Sequence, residues 1–384
     1  MAKPNVSKVP AFFSKITADL ECAVIANDLG ECDSSKVSLG DPMLDWALGG
    51  GIAKNRLVVF AGQSLSGKSF MCAKAAGKIQ QESDPDAWVV WLDAEYFLHK
   101  EPERIARLTQ MGIDLKRCLI ISSNKPDVIF SKLDAIETAM QEKEIKVCAM
   151  VIDSLGGLED KAAAAKYAEG EIESAGDKFG GMAKFIGTLV KKLVRMAAEN
   201  NMTVCLVQHA IVDMAGAGKG PPKYIVTGGQ RLRLLCDTMV LSETVERKDA
   251  LLTADNESVE FSDKGVVATG KTIRYKCLKS RFCMEGRTAE TKINFSTCEV
   301  VRTEDSLCAL AKLLGILTHP ANAEGKINAL WWKFSFAPDK YQGEKQVLEA
   351  LKDKTLYGKV LAACMEMKDT PIGYQSSELG VEVQ

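Results

Sequence analysis

Short apolar runs alternate with longer amphipathic stretches over the first two thirds of the chain. The runs predict buried strands, because a strand covered on both faces reads as a nearly continuous hydrophobic segment. The stretches between them are long enough for helices. This alternation predicts an α/β fold with a mostly parallel sheet flanked by helices. The predicted strands are Leu57–Ala61, Ala87–Leu92, Arg117–Ile121, Lys146–Ile152 and Thr203–Val207, and the predicted helices are Phe70–Ile79, Glu101–Met111, Pro126–Gln141 and Gly180–Glu199.

A glycine-rich loop follows the first of these strands. Gly62–Ser69 has the form G-x-x-x-x-G-K-S, and strand, loop and helix in this order favour a phosphate-binding loop over a chance match. Glycine allows the backbone to curl until its N–H groups converge on phosphate oxygens, and the helix that follows adds its positive dipole end. The sequence therefore predicts binding of ATP by Gly62, Gln63, Ser64, Leu65, Ser66, Gly67, Lys68, Ser69 and Phe70.

Lys68 and two acidic residues complete the predicted chemistry. We expect Lys68 to reach the β- and γ-phosphates and the Ser69 hydroxyl to bind Mg²⁺. Asp153 ends its predicted strand, where an aspartate would hold the same Mg²⁺; a helix N-cap is the alternative. Glu95 follows another predicted strand and could deprotonate the attacking water, although an isolated acid there is more often a solvated loop residue.

Composition and charge limit the classes of protein to which this chain can belong. Of the 384 residues 46% are hydrophobic and 26% charged, which is typical of a globular chain. The 49 basic and 51 acidic side chains nearly cancel, so a polyanionic partner would need a local basic patch. No apolar stretch is long enough for a membrane span and Met1–Lys8 is not a signal peptide, so we expect a cytoplasmic protein without a membrane partner. The 12 cysteines never form a CxxC pair, which favours reduced thiols.

Six short segments occur in the order typical of one family. They are Gly62–Ser69, Asp93-Ala94-Glu95, Val151-Ile152-Asp153-Ser154, Gly170-Glu171-Ile172, Thr227-Gly228-Gly229 and Lys279-Ser280-Arg281-Phe282. Together they resemble the RecA family of recombinases over roughly positions 36–300. Gln208-His209 and the last segment are most similar to the bacteriophage branch typified by UvsX. The resemblance implies a RecA-like P-loop ATPase core with bound ATP and Mg²⁺ and, for a phage protein, the cytoplasm of the host cell.

Three units are predicted along the chain. Residues 1–35 form an N-terminal segment, 36–303 the RecA-like ATPase core and 304–384 a smaller, mostly helical C-terminal domain. The apolar residues of Phe12–Ile25 have roughly helical spacing, so this stretch either packs on a neighbouring subunit, as in RecA-like proteins, or folds back on its own core. In the C-terminal domain we expect helices at Ser306–Leu317 and Glu344–Met367, and a core built from Trp331, Trp332, Phe334 and Phe336.

The resemblance also implies roles for single residues. Glu95 corresponds to the glutamate that activates water, and Gln208-His209 to the polar pair that senses the γ-phosphate and begins the second DNA-binding loop. A neutral imidazole at His209 can donate to a phosphate oxygen, although a packed structural histidine is the alternative. Lys279 and Arg281 correspond to a basic pair that reaches the nucleotide of the neighbouring protomer, like an arginine finger. A solvated face of a β-hairpin is the alternative for that pair.

Two long segments correspond to the DNA-binding loops of the family, called L1 and L2. They are Gly156–Gly181 and Asp213–Gly229, and loops this long in a compact domain are usually functional. Basic side chains bind phosphates without regard to base sequence, and an aromatic ring stacks on bases. An ordinary surface loop with a few lysines is the alternative. The candidate DNA-binding residues are Lys178, Phe179, Lys219, Lys223, Tyr224, Thr227, Gly228, Gly229 and Arg231.

The sequence thus predicts a DNA-dependent ATPase that forms a homo-oligomeric helical filament on single-stranded DNA and catalyses homologous pairing and strand exchange with double-stranded DNA. Single-strand binding and loader proteins are further expected partners. Two alternatives stay open: a RecA-like hexameric DNA helicase, and an ATP-binding recombination regulator without strand exchange. The helicase is less favoured because helicases of that kind usually carry a substantial domain before the ATPase core.

Overall fold

The computed structural model describes residues 35–159, 179–213, 224–247, 250–260, 267–321 and 326–369. The chain divides between Ser35 and Lys36, and all elements named below belong to the part that begins at Lys36. The predicted helical stretch Phe12–Ile25 lies outside the described residues. Among those residues no helix is long and apolar enough to cross a membrane.

Strands and helices alternate along much of the described chain. The strands are β1 Lys36–Val37, β2 Ile52–Ala53, β3 Leu57–Gly62, β4 Trp88–Asp93, β5 Cys118–Ser122, β6 Val147–Asp153, β7 Thr203–Val212, β8 Tyr224–Val226, β9 Thr238–Thr244, β10 Leu251–Leu252, β11 Ser258–Val259, β12 Gly270–Ser280, β13 Thr288–Asn294, β14 Glu299–Val301, β15 Leu317–Thr318, β16 Trp331–Phe334 and β17 Lys340–Gln342. The helices are α1 Pro42–Ala47, α2 Lys68–Gln81, α3 Pro102–Gln110, α4 Pro126–Gln141, α5 Phe179–Glu199, α6 Gln230–Leu235, α7 Thr303–Leu313, α8 Gly343–Ala350 and α9 Lys354–Glu366.

Within the described residues, six parallel strands form the centre of a 12-stranded sheet, in the order β9, β3, β7, β6, β4 and β5. The register of β3 pairs Gly62 with His209 on β7 and with Ser242 on β9. Beyond β9 the sheet continues with the antiparallel strands β12 and β13, and β8 pairs antiparallel with the end of β7. The carboxyl ends of the parallel strands lie at one edge, where ligands bind in sheets of this kind.

Hydrophobic side chains cover both faces of the central strands. Side chains alternate along a strand, so Val58 and Phe60 of β3 enter one hydrophobic cluster while Leu57 and Val59 enter the other. The first cluster includes apolar residues of α1, α2 and α7, and the second includes those of α4 and α5. Burial on both faces is the physical reason that these strands read as continuous apolar runs in the sequence.

The predicted core elements are all present, with small shifts at their ends. Helix α4 has the predicted bounds. Helix α2 begins at Lys68 rather than Phe70, so its first turn includes Lys68 and Ser69 of the phosphate loop. Strand β7 extends past Val207 to Val212, because its final residues gain β8 as a pairing partner.

Helix α1 is joined to the C-terminal elements by a buried aspartate. The Asp41 carboxylate accepts a hydrogen bond from the Leu44 N–H at 2.9 Å and so caps the helix, while Pro42 occupies its first position. The same carboxylate accepts from the Ser306 hydroxyl of α7 at 2.7 Å. The C-terminal elements therefore connect to the core through polar contacts as well as through the first hydrophobic cluster.

The C-terminal elements include a small sheet of β15, β16 and β17 beside the helices. Trp331 and Trp332 lie on β16, so the adjacent tryptophans face opposite sides, as strand geometry requires. Phe334 is fully buried, as predicted for the core, whereas Phe336 remains 43% exposed and stacks on Phe334. The expectation that all four aromatic residues build the core was therefore wrong for Phe336, which lies beyond the end of β16, and for Trp331, which is half-buried outside the hydrophobic clusters, while Trp332 packs partly buried against the first cluster.

Candidate active site

The phosphate loop connects β3 to α2 and has its tightest turn at Gly67. Gly67 has φ +75°, and a Cβ atom there would lie 2.6 Å from Ile273 Cδ1 and 2.9 Å from the Tyr275 hydroxyl. Only glycine fits this position without displacing the strand beneath it. The Ser66 hydroxyl donates to the Gln63 carbonyl at 2.7 Å and lies 2.8 Å from the Ser242 hydroxyl on β9. The loop is thus fixed to the sheet on its inner side.

Lys68 lies inside this loop rather than in solvent. Its Nζ donates to the Gln63 carbonyl at 2.5 Å, and the residue is only 6% exposed. Burial lowers the pKa of Lys68, while the carboxylates of Asp153 and Glu95 act in the opposite direction. The ammonium group therefore sits where a phosphate would replace the carbonyl as its partner.

Ser69 and Asp153 meet at the carboxyl edge of the sheet. The Asp153 carboxylate is buried, and the Ser69 hydroxyl lies close enough to act on its pKa. Burial raises the pKa of Asp153 to about 6, which the Ser69 hydroxyl opposes and the carboxylates of Glu95 and Asp93 reinforce. A divalent cation would offset this crowding of negative charge, and hydroxyl and carboxylate oxygens are the donors that Mg²⁺ prefers.

These two side chains would bind Mg²⁺ only as part of a larger shell. In the described part of the chain no group of three or more His, Cys, Asp and Glu side chains is arranged to hold a metal. Mg²⁺ is commonly held by one or two protein oxygens together with water and substrate phosphates. Ser69 and Asp153 fit that manner of binding, in which the nucleotide supplies the remaining ligands.

Glu95 lies where residues from three neighbouring strands, β4, β6 and β7, meet. Its Oε1 accepts a short hydrogen bond from the Ser154 hydroxyl, directly after β6, and lies 3.2 Å from Nε2 of His209 on β7. The side chains of Glu95 and His209 are 41% and 38% exposed, so both are accessible to a ligand. The structure brings together the predicted water-activating acid and the predicted γ-phosphate sensor.

Asp93 supports Glu95 in a way that sequence reasoning missed. Its buried carboxylate accepts hydrogen bonds from the N–H groups of Phe97 at 2.9 Å and Leu98 at 2.8 Å. These bonds hold the turn that follows β4 and thereby orient Glu95. The family pattern includes Asp93-Ala94-Glu95 but suggests a role only for the glutamate. Ser154 was missed similarly, although it follows Asp153 directly.

Hydrogen bonds connect β7 to the segment that was predicted to be the second DNA-binding loop. The Gln208 side chain is buried and donates from Nε2 to the Thr227 hydroxyl at 2.9 Å, and that hydroxyl donates to the His209 carbonyl at 2.9 Å. Among the described residues the buried Gln208 Oε1 atom has no hydrogen-bond partner. An unsatisfied buried oxygen of this kind is costly, so this amide is a point at which the structure can change.

Lys279 and Arg281 both contact their own chain. Lys279 Nζ donates to the carbonyls at the end of α6, at 2.9 Å to Arg233, 2.8 Å to Leu234 and 2.7 Å to Cys236. Arg281 pairs with the buried Asp237 at 3.1 Å, and its side chain remains 55% exposed. Lys279 therefore caps α6, while Arg281 keeps much of its surface free for a further contact.

The candidate DNA-binding residues are only partly described. Tyr224 begins β8, Thr227–Gly229 leads into α6 with positive φ at both glycines, and Phe179 begins α5. Arg231 packs along α5, where a Cβ atom at Gly187 would lie 2.6 Å from Arg231 Cδ. Lys178, Lys219 and Lys223 lie outside the described residues.

Comparison with known proteins gives a family for this fold and site. The RecA N-terminal domain family matches residues 20–298 of the chain. A protein named Protein RecA from Chloroherpeton thalassium is 28% identical over 333 residues, which cover 86% of this chain and 80% of the relative. Protein RecA from a Nostoc species is 25% identical over 338 residues, covering 85% and 83%, respectively. This chain belongs to the RecA N-terminal domain family.

Membership of this family confirms the predicted class. The chain is an ATP-dependent recombinase of recombination and repair, and a DNA-dependent ATPase with a RecA-like P-loop fold. Neither the helicase nor the regulator is favoured by these comparisons. The prediction from the six short segments was thus correct at the level of family and activity.

Proposed function

We propose that this protein polymerises as a helical filament on single-stranded DNA, binds ATP between its subunits, and pairs the bound strand with homologous double-stranded DNA. The observation that carries the proposal is the contact between Glu95 and His209. This contact links Glu95, at the edge of the sheet where the nucleotide would bind, to β7, the strand that leads into the proposed second DNA-binding loop. ATP binding and DNA binding can therefore act on the same side chains.

The nucleotide would be held by Gly62–Ser69. Backbone N–H groups of the loop and the first turn of α2 surround the phosphates, and Lys68 exchanges the Gln63 carbonyl for phosphate oxygens. Ser69 and Asp153 would hold Mg²⁺, which when bound neutralises charge on the phosphates. Burial of Lys68 and Asp153 strengthens both interactions, because the local dielectric is lower than in water.

Hydrolysis would use Glu95 as the general base. Its carboxylate accepts a proton from the attacking water, while Ser154 and His209 fix its orientation by hydrogen bonds to Oε1. Arg281 and Lys279 of a neighbouring protomer would supply positive charge as the γ-phosphate leaves. The exposure of Arg281 supports this role. Lys279, which binds the carbonyls of α6, would have to exchange those partners or act by holding the segment in position.

DNA would bind at the two loops through phosphate contacts and stacking. Lys178, Phe179, Lys219, Lys223 and Tyr224 are the proposed side-chain contacts, with Arg231 and the N–H groups of Thr227–Gly229 beside them. The hydrogen bonds from Gln208 to Thr227 and from Thr227 to His209 would transmit the nucleotide state to this region. ATP would thus favour the conformation that binds DNA tightly, and hydrolysis would release it.

We also propose that the chain belongs to the bacteriophage branch typified by UvsX. The Gln208-His209 pair and Lys279-Ser280-Arg281-Phe282 support this narrower assignment. It implies action in the cytoplasm of a host cell, with single-strand binding and loader proteins as partners.

Electron microscopy on single-stranded DNA with a slowly hydrolysed ATP analogue tests the proposed function. Extended helical filaments that coat the DNA only in the presence of nucleotide are expected. Closed rings would instead indicate a hexameric motor, and bare DNA would indicate a protein that binds ATP without forming filaments. Because the filament is required for strand exchange, either of these results would contradict the proposal.

A further inference from the structure

Segment 155–159 lies between β6 and the body of the first predicted DNA-binding loop. Its first three residues form a 3-10 turn, which is closed by a hydrogen bond from the Gly157 N–H to the Ser154 carbonyl at 3.1 Å. Leu155 and Leu158 are both buried in the second hydrophobic cluster, which holds the segment against the core. The two glycines between these leucines therefore have fixed neighbours.

Gly156 and Gly157 contact the two residues that end the hydrogen bond described above between acid and imidazole. A Cβ atom at Gly156 would lie 2.5 Å from Cδ2 of His209. A Cβ atom at Gly157 would lie 2.9 Å from Cγ of Glu95 and 2.9 Å from the carbonyl oxygen of Ala94. Neither glycine has a positive φ, so the close approach of these neighbours is what requires glycine. The segment and the Glu95–His209 pair are therefore packed directly against each other.

The far end of segment 155–159 is connected to the turn that carries Glu95. The Glu159 N–H donates to the Asn124 carbonyl at 2.9 Å, and Asn124 Oδ1 accepts from the Tyr96 hydroxyl at 3.4 Å. Tyr96 follows Glu95 directly and has φ +57°, a left-handed conformation that is unfavourable for an aromatic residue. Such a conformation persists only where the surrounding structure imposes it. The segment is therefore connected to the acid itself and, through Asn124, to the residue that follows it.

We propose that Gly156 and Gly157 are positioning residues for hydrolysis, and that segment 155–159 transmits DNA binding at the first loop to His209 and Glu95. A close-packed contact transmits displacement, because neither side can move without moving the other or opening a void. This route is separate from the hydrogen bonds that connect β7 to the second loop. The inference rests on the proposed function, since it takes Glu95 as the general base and the first loop as a DNA contact.

A methyl group added at Gly157 should displace the acid. It would meet a backbone carbonyl, which cannot turn away, and the side chain of Glu95. We expect Gly157→Ala to lower kcat by about 10²-fold, because a displacement of about 1 Å in an active site has an effect of that size. KM for ATP should stay unchanged, since the substitution leaves the phosphate loop and Lys68 as they are.

A methyl group added at Gly156 should have a smaller effect. The three atoms nearest to it would all belong to the ring of His209, whose side chain is 38% exposed and can turn toward solvent. Gly156→Ala should therefore fold even if Gly157→Ala does not. Its stimulation by DNA should fall several-fold more than its rate without DNA, and unchanged stimulation would contradict a route through the first loop.

Steady-state hydrolysis by the full-length protein tests the proposal. Measured over a range of ATP concentrations, with and without single-stranded DNA, it gives kcat, KM and the stimulation by DNA. Gly358→Ala on α9 is the matched control, because among the described residues no atom beyond its chain neighbours and its own helix backbone lies within 4 Å of a Cβ placed there. Wild-type kcat in Gly157→Ala would overturn the proposal. A raised KM with loss of ATP-dependent DNA binding would indicate general damage and would also contradict a positioning role.

A double variant shows whether Gly157 acts through Glu95. If displacement of the acid causes the loss, Gly157→Ala should lower kcat in the wild-type background but not further in Glu95→Gln. Single-turnover hydrolysis with excess protein measures these slow rates. Losses that multiply in the double variant would show an effect independent of the acid, as expected for a purely structural role.

The same measurements separate this inference from the proposed function. Normal turnover in Glu95→Gln would refute the general base and the inference with it. Slow turnover in Glu95→Gln together with normal turnover in Gly157→Ala would refute the inference alone. Bare DNA or closed rings under the electron microscope would refute the filament, whereas the double variant would still decide how Gly157 acts.

Discussion

The imidazole Nε2 of His209 lies 3.2 Å from the Oε1 atom of Glu95. His209 lies on β7 and Glu95 follows β4, and these strands are separated in the sheet by β6. Ser154, directly after β6, donates its hydroxyl to the same oxygen. Residues from three neighbouring strands therefore converge on one carboxylate. Any movement of β7 caused by DNA would change the partners of the acid that we assign to hydrolysis.

Glu95→Gln should separate binding from hydrolysis. The amide keeps the shape of the side chain and can still accept a hydrogen bond from Ser154, but it cannot take a proton from water. We expect ATP and DNA binding to persist while kcat for ATP falls by about 10²- to 10⁴-fold. Steady-state hydrolysis with single-stranded DNA measures this, with Glu101→Gln, an exposed acid at the start of α3, as the control. Normal turnover in Glu95→Gln would remove Glu95 from the mechanism.

Lys68→Ala should abolish nucleotide-dependent DNA binding. The substitution removes the ammonium group that lies within the phosphate loop, so the phosphates lose their charged partner. Fluorescence anisotropy of labelled single-stranded DNA, with and without an ATP analogue, gives the comparison. Lys74→Ala on the same helix is the control, because its side chain lies near the Phe70 ring outside the loop. Unchanged ATP-dependent binding in Lys68→Ala would mean that the phosphates bind elsewhere.

Thr227→Val should weaken the coupling between DNA and hydrolysis. It removes the acceptor of the Gln208 amide and the donor to the His209 carbonyl, at a cost of about 1–3 kcal/mol for the buried amide. We expect the stimulation of hydrolysis by DNA to fall more than the rate without DNA. Thr244→Val, at the exposed end of β9, should leave the stimulation intact. Equal losses with and without DNA would indicate a purely structural role.

Mixing two inactive variants tests whether Arg281 acts on the neighbouring protomer. Arg281→Ala retains its own phosphate loop, and Lys68→Ala retains Arg281. In a randomly mixed head-to-tail filament about one quarter of the interfaces combine an intact loop with an intact arginine, so about that fraction of activity should return. A Lys68→Ala/Arg281→Ala double variant, mixed with Arg281→Ala, supplies no intact Arg281 and should not restore activity. Rescue that persists with the double variant would exclude Arg281 as the donor.

Asp45→Asn should change how stability depends on pH. Burial raises the pKa of Asp45 from 3.8 to about 7 in the folded protein, so the folded state binds a proton that the unfolded state releases. The free energy of unfolding should therefore fall as pH rises through this range, by at most about 4 kcal/mol, and then level off.

Urea unfolding between about pH 4 and about pH 7 measures this slope. Asparagine cannot ionise, so the variant should show a flatter curve and greater stability near neutral pH. Asp114→Asn is the control, because hydrogen bonds from Lys116 and Arg117 lower the pKa of this exposed acid. Asp114 therefore titrates below the tested pH range, and its substitution should leave the slope unchanged. An unchanged slope in Asp45→Asn would show that Asp45 is ionised in the folded protein.

The sequence predicted the core better than the C-terminal elements. The core strands are continuous apolar runs separated by amphipathic helical stretches, and each element was found within five residues of its predicted bounds. Trp331 and Phe336 lie in a short stretch where strand and helix patterns are hard to distinguish, and pairing of β16 with β15 and β17 decided its conformation.

The sequence by itself determined the parallel α/β core, the phosphate loop and the family, because these depend on local periodicity and on runs of adjacent residues. Only the tertiary structure decided that Glu95 meets Ser154 and His209, and that Lys279 caps α6. Such contacts join residues far apart in the chain, and they depend on the order and register of strands. Local sequence does not encode that order, since it results from the packing of the whole sheet.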